Sequence, residues 1–324
     1  MLISLIAAPK SLLLLVMNRR APMATAVPRW LASAVRRLYQ APRTVASWAV
    51  ARSTGYKLAV MSHLRRGRRL WGMKIAITGG TGTLGRRVTG ELRARGHEVR
   101  VLSRGAPEYR VDLTTGAGLD EALTGCEVVV DASNNSSRTA AATLVDGTRR
   151  LLAAGQAAGV AHHVCVSVVG CELVPQGYFA AKAKQEDLVA RGTVPWTVVR
   201  ATQFHEYVAA LLAAGARWRA LPVPRALVQP VACADVARTV ADAAERAPLH
   251  GRVTIAGPDV VTARELAWRW RRAAGTRAVL VPVPLPGGLG RALRGGALTA
   301  SSPDVRGGVT FAAWLAGQPG GEPR

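Results

Sequence analysis

From residue 73 onward, apolar residues come in short runs separated by amphipathic stretches. The run 74–78 (KIAIT) reads as a strand that ends on glycines, and Leu84, Val88 and Leu92 recur at helical spacing. That spacing predicts a helix over 84–95, closed by Gly96 in the left-handed position a helix end favours. Alternation predicts a strand over 98–104 (EVRVLSR), and a short helix near 119–123 leads into another strand over 127–133 (EVVVDAS). A long helix over 139–158, a strand over 163–169, a helix over 178–190 and a strand over 196–200 complete the rhythm. Strands and helices that alternate in this way imply an α/β fold on a doubly wound parallel sheet, with helices on both faces.

Beyond Phe204 the rhythm breaks at Pro222, Pro224 and Pro230. A helix is expected over 235–246 and a strand over 251–257. Thr262 with Glu265 forms a capping box that opens a helix to about residue 274, and 279–286 reads as extended and proline-rich. The chain therefore divides into a basic extension (1–72), a sheet core (73–203), a remainder with a small C-terminal substrate lobe (204–316) and a frayed tail (317–324).

The formal net charge of +23 first suggests a polyanionic partner. Residues 1–72, however, hold 13 Lys and Arg with no acid, leaving 30 basic residues against 20 acidic ones in the rest. The basic stretches lack interleaved aromatics, so nucleic-acid binding is not expected. Pro9 and Lys10 break the first apolar run well short of the ~20 residues a membrane span needs. A start at Met73 is favoured for the folded protein, over an organelle leader or a membrane-surface anchor; membrane association would come only through 1–72. Cys126, Cys165, Cys171 and Cys233 show no CxxC spacing and sit in apolar surroundings, which points to a reduced, cytoplasmic setting. His162 and His163 have no partners at zinc spacing, so no metal site is expected.

Candidate chemistry appears first at residues 78–85, TGGTGTLG. Gly79, Gly80, Gly82 and Gly85 satisfy both GxxGxxG and GxGxxG. In a glycine-rich chain about 0.3 such patterns arise by chance, but this one falls between a strand and an amphipathic helix. There the backbone can approach a pyrophosphate, whose charge meets free N–H groups at the helix start. About 20 residues later an NAD site would carry an acid for the ribose hydroxyl; here the chain reads Leu102–Ser103–Arg104. Arg104, Ser103 and Arg86 suit a 2′-phosphate instead, which favours NADP over NAD.

Tyr178 and Lys182 stand at i and i+4, on one helix face. With only five lysines in the chain, about 0.08 such pairs are expected by chance. A neighbouring ammonium favours phenolate, so Tyr178 is expected to have a lowered pKa and to act as general acid or base. Ser167, near the end of its strand, is placed to hydrogen-bond a reacting carbonyl oxygen.

Together, TGGTGTLG, VLSR, Asp112–Leu113, SVVG, YFAAK, RATQFH at 200–205 and Ala256–Gly257–Pro258 resemble the short-chain dehydrogenase/reductase superfamily. The likeness is to its atypical NmrA-like, epimerase-like branch of Rossmann proteins, and it covers about 73–316. It implies that Thr78, Thr83 and Leu84 join the glycines at the pyrophosphate, that Asp112 and Leu113 flank adenine, and that Ala132 and Ser133 line the cofactor. It also implies that Tyr178 and Lys182 are the catalytic pair, the lysine holding the nicotinamide ribose, and that Gln203, Phe204 and His205 lie by the substrate. One departure stands out. Relatives often carry Asn where this chain has Leu144, so a proton relay through that Asn would be altered here. The expected function is NADP-dependent oxidation or reduction of a small carbonyl or alcohol. A dinucleotide-binding sensor without turnover and a sugar-nucleotide epimerase are the alternatives.

Overall fold

The computed structural model describes residues 72–174 and 176–317; the expectations for the basic extension and for the tail beyond Gly317 lie outside the described residues. The chain opens with β1 (Lys74–Thr78), α1 (Thr83–Ala94), β2 (Glu98–Ser103), β3 (Tyr109–Arg110), α2 (Leu119–Leu123) and β4 (Val128–Asp131). After β4 a π-helical turn, Ala142–Asp146, runs into α3 (Gly147–Ala157). Then follow β5 (His162–Val168), α4 (Gly177–Arg191), β6 (Trp196–Ala201), α5 (His205–Ala216), β7 (Ala220–Pro224), β8 (Leu227–Val228) and α6 (Cys233–Glu245). The last elements are β9 (Gly251–Ala256), β10 (Val261–Thr262), α7 (Ala263–Ala273), β11 (Val279–Val283), α8 (Gly287–Arg294), β12 (Val305–Arg306) and α9 (Phe311–Ala316).

Eight parallel strands form one sheet in the order β12-β9-β6-β5-β4-β1-β2-β3. The order reverses at β1, so the crevice of a doubly wound sheet opens at the carboxyl ends of β1, β2 and β4. Because side chains alternate along a strand, β1 sends Ile75 and Ile77 to one face and Ala76 to the other. On the first face they pack with Leu84, Val88 and Leu92 of α1 and Val236 and Val240 of α6; on the second, Ala76 meets Leu123 of α2 and Leu151 of α3. Each fully buried Ile or Leu contributes about 1.5–3 kcal/mol, which anchors both helix layers to the strands that present the crevice.

The C-terminal segment adds β9 and β12 to the main sheet and also builds a small lobe. In the lobe Leu212, Leu221, Val223, Leu266, Trp270 and Phe311 form a separate apolar cluster. Two of the three prolines that interrupt the sequence pattern sit in a two-stranded parallel pair, Pro222 and Pro224 of β7 opposite Val281 and Val283 of β11, where a missing N–H is tolerated at an edge; Pro230 lies beyond it. Thr262 caps α7 as expected, accepting from the Glu265 N–H at 3.1 Å. The helix expected over 139–158 is instead interrupted by the π-helical turn, which carries the fully buried Leu144. Strand β4 is shorter than the sequence pattern suggests, because the Asp131 carboxylate accepts the Ser133 N–H (3.0 Å) and turns the chain out of the sheet. Among the described residues, no helix is long and apolar enough to cross a membrane.

Candidate functional site

The turn after β1 is built around glycine. Gly79 has φ of +69°, and a Cβ there would lie 2.7 Å from the Ala132 carbonyl oxygen; at Gly85 a Cβ would lie 2.2 Å from the Gly79 carbonyl oxygen. Both glycines therefore serve the fold, bringing the start of α1 against the turn. Gly82 differs, since a Cβ there meets only the Gly79 oxygen, at 3.1 Å. Gly82 is also the N-cap of α1, with no side-chain cap and no acid in the first turn. The helix thus presents its positive end and N–H groups uncapped, the setting that receives a phosphate. Ser103 at the end of β2 and Ser133 just past β4 flank this turn, and their hydroxyl oxygens are buried without a protein partner. Two orphaned hydroxyls beside an uncapped glycine turn fit a dinucleotide.

Around this rim Thr83, Arg86 and Arg104 are exposed. Asp112 accepts from the Thr114 N–H (2.9 Å) and hydroxyl (2.7 Å); those bonds, with Arg104 nearby, hold its carboxyl below the usual range. Leu113 is buried, and its Cβ would stand 3.0 Å from a Cβ on Gly147 of α3, which ties the loop of Asp112 and Leu113 to that helix.

The expected catalytic residues come from α4 and β5. Tyr178 lies in an apolar cluster with Ala140, Leu144, Val145 and Ala181, its ring edge-on to Phe179. Here the structure corrects the expected pKa. Burial, with the Cys171 thiol nearby, pushes the Tyr178 phenol up rather than down. The Lys182 ammonium is directed elsewhere. It donates to the Val166 carbonyl (2.9 Å), to Gln185 Oε1 (2.9 Å) and, at 3.5 Å, to the Ser133 carbonyl.

Ser167 is buried, its hydroxyl 3.9 Å from Cys171 Sγ. Arg200, the Ser167 hydroxyl and Arg252 together hold the Glu186 carboxyl below its usual range. Arg200 Nη2 meets Glu186 Oε2 at 2.6 Å, and burial pushes the Cys171 thiol up to about 12. Ser167 is therefore tied to the Cys171 thiol and to a structural ion pair.

Three residues expected at the substrate have other partners. Gln203 donates to the Leu298 carbonyl (2.8 Å) and accepts the Gln229 N–H (3.0 Å), bridging segments of the lobe. His205 is fully buried, bonded to the Val309 carbonyl oxygen (2.9 Å) and packed on Phe311 and Trp314. Phe204 packs against the main core. A local motif names such residues but does not reveal where the lobe folds over them.

Sequence reasoning missed Asp131, Thr148 and Gln185. Fully buried Asp131 accepts from Thr78 Oγ1 (2.8 Å), the Ser133 N–H (3.0 Å), Gln185 Nε2 (2.9 Å) and Thr148 Oγ1 (3.3 Å). Donor atoms of His163 and Cys165 lie within 4.8 Å of one another and of this carboxylate, whose oxygens already serve those four donors. Two signals were available: an acid closing the apolar run VVVD, and a glutamine three residues past Lys182 on the same helix face.

Comparison with known proteins agrees with this geometry. Residues 79–247 match a family described as NAD(P)H-binding. The chain is 33% identical over 220 residues to a (4-alkanoyl-5-oxo-2,5-dihydrofuran-3-yl)methyl phosphate reductase of Streptomyces griseus, covering 62% of this chain and 74% of that protein. Among solved structures, an NADPH-dependent quinone oxidoreductase from Escherichia coli complexed with NADPH superposes with a TM-score of 0.63 at 21% identity, over 75% of this chain and 98% of the other. A nucleoside-diphosphate-sugar epimerase from Staphylococcus aureus gives the same TM-score at 18% identity, over 75% of this chain and 99% of the other.

Proposed function

Since this chain belongs to the NAD(P)H-binding oxidoreductase family, in the atypical short-chain dehydrogenase/reductase manner, we propose that it is an NADPH-dependent reductase of a small carbonyl compound. The observation that carries this reading is the uncapped glycine turn at the end of β1, flanked by the unpartnered hydroxyls of Ser103 and Ser133. Gly79 to Gly85 would hold the pyrophosphate, with Thr78, Thr83 and Leu84 in the same turn. Ser103, Arg104 and Arg86 would hold a 2′-phosphate, Asp112 and Leu113 would flank the adenine, and Ala132 and Ser133 would line the cleft. When bound, the cofactor supplies a hydride at its nicotinamide. The chain's own residues do the rest. Tyr178, kept as a neutral phenol by burial, would give its proton to the carbonyl oxygen. The phenolate left behind would lie one helical turn from Lys182 along α4. Ser167 would orient the substrate. Similarity to a reductase of a furanone phosphate supports the direction of reaction, and this chain's own substrate class is part of the proposal.

One observation favours a second reading, a dinucleotide-binding sensor without turnover: Lys182 directs its ammonium at Val166, Gln185 and Ser133. A panel of small aldehydes, ketones and unsaturated lactones, assayed for NADPH and NADH consumption, separates the two. The reductase reading expects consumption that prefers NADPH. Arg104→Ser should cut that preference at least ~10-fold, the worth of a charge-assisted bond to phosphate. Binding of NADPH without consumption favours the sensor, and an Arg104→Ser enzyme with unchanged preference removes Arg104 from cofactor choice.

A further inference from the structure

Helix α4 turns an unusual face inward. Besides Ala181 and Val189 it buries Lys182, Gln185 and Glu186. Buried polar groups are costly unless every donor and acceptor is met. Glu186 is matched by Arg200 and Arg252, through contacts outside the lysine's surroundings. Lys182 and Gln185, three residues apart, are matched by each other and by a closed network.

Gln185 Oε1 accepts from the Lys182 ammonium at 2.9 Å, while Gln185 Nε2 donates to both Asp131 Oδ2 and Thr148 Oγ1, each at 2.9 Å. The Thr148 hydroxyl donates to Asp131 Oδ2 (3.3 Å), and Asp131 Oδ1 accepts from Thr78 Oγ1 (2.8 Å) at the end of β1. The amide has one workable orientation. Flipped, its oxygen would face a carboxylate and its NH₂ an ammonium. Gln185 is fully buried and Lys182 nearly so. Among the described residues Gln185 is the one side chain bonded to Lys182; Leu144, on the neighbouring helix, offers Tyr178 and Ala181 only apolar contact.

We infer that Gln185 is the positioning residue of Lys182. Clamped by Asp131 and Thr148, it fixes the ammonium between the ends of β4 and β5 and couples the lysine to the threonine that begins the glycine turn. The positioning rests on these contacts alone; its consequence for turnover rests on the reductase reading above. In that reading Gln185 governs how far the ammonium can swing toward Tyr178 without touching substrate itself.

Lysine scarcity makes this testable in the full chain. With lysines only at 10, 57, 74, 182 and 184, ¹⁵N-lysine labelling gives few ammonium signals, and Lys182→Met assigns the one of interest. In the wild type the Lys182 ammonium should appear as a slowly exchanging cross-peak at neutral pH. Gln185→Met keeps the length and removes the acceptor, so the peak should shift and its hydrogens exchange at least ~10-fold faster. A Gln185→Met peak with wild-type position and exchange overturns the inference. If that variant does not fold, Thr148→Val, which removes the threonine half of the clamp, decides: several-fold faster exchange supports the inference and unchanged exchange overturns it. A wild type that shows the protected peak but consumes no NADPH sinks the reductase reading and leaves the positioning role standing.

Discussion

Replacing Tyr178 by Phe should lower kcat about 10³-fold while leaving the Kd for NADPH within about twofold. General acid catalysis by a placed side chain is worth some 10²–10⁴ in rate, and the substitution removes one oxygen from a ring held mainly by apolar contacts. Ala140, Leu144, Val145 and Ala181 accept Phe as readily as Tyr, and the glycine turn lies on another element, so neither fold nor cofactor affinity should follow the loss of rate. Because burial pushes the phenol up, the wild-type acid stays protonated through neutral pH. On that account the wild-type rate should show no loss from Tyr178 ionisation between pH 6 and 8. Steady-state rates paired with a fluorescence titration of NADPH check both halves. Full activity in Tyr178→Phe would remove the phenol from the mechanism.

The largest effect on stability is expected at Asp131. Its carboxylate is fully buried and serves four donors, so Asp131→Ala leaves the Gln185 amide, the hydroxyls of Thr78 and Thr148 and the Ser133 N–H short of an acceptor. Removing one partner of a buried charged network costs about 3–5 kcal/mol, which in a domain of this size lowers Tm by roughly 10 °C. The same residue sets a pH dependence. Burial raises its pKa, but His163, Lys182 and the bonds from Ser133 and Thr78 outweigh it, so the folded carboxyl titrates below its ordinary value. A depressed folded pKa contributes stability that is complete above the unfolded value near ~4 and is lost as pH falls through the folded one. Urea melts at pH 7 and pH 3 should therefore show wild-type stability falling with acid, and a smaller fall in Asp131→Ala. A shift under about 1 kcal/mol at pH 7 would mean that the network is incidental.

What could be read from the sequence was whatever is local. The β1–glycine–α1 unit, the α4 spacing of Tyr178 and Lys182 and the capping box at Thr262 each depend on neighbours within a few residues, and all stand where the pattern put them. The parallel sheet followed from alternation alone. What escaped was long-range. Asp131 and Gln185 are 54 positions apart, and nothing in either neighbourhood tells that β4 and α4 bring them to 2.9 Å. His205 reads as a polar residue in a substrate motif, yet the lobe folds Phe311 and Trp314 over it from more than a hundred residues away. Helix α5 was missed because its Ala- and Leu-rich run is apolar on every side, which erases the periodicity that marks an amphipathic helix. The lowered tyrosine pKa was a sound inference from spacing that failed because burial pushes the phenol up and the ammonium is directed at three other acceptors.

Gly82 gives the most direct test of the claim that the turn after β1 seats a pyrophosphate. An alanine methyl there meets one protein atom, the Gly79 carbonyl oxygen at 3.1 Å, so the fold has to yield by only a few tenths of an ångström, while the methyl intrudes at the uncapped start of α1. NADPH titrated calorimetrically into the wild type and into Gly82→Ala should bind the first and bind the second at least ~10-fold more weakly, with Tm within a few degrees. Equal affinity in two equally stable proteins would contradict the account.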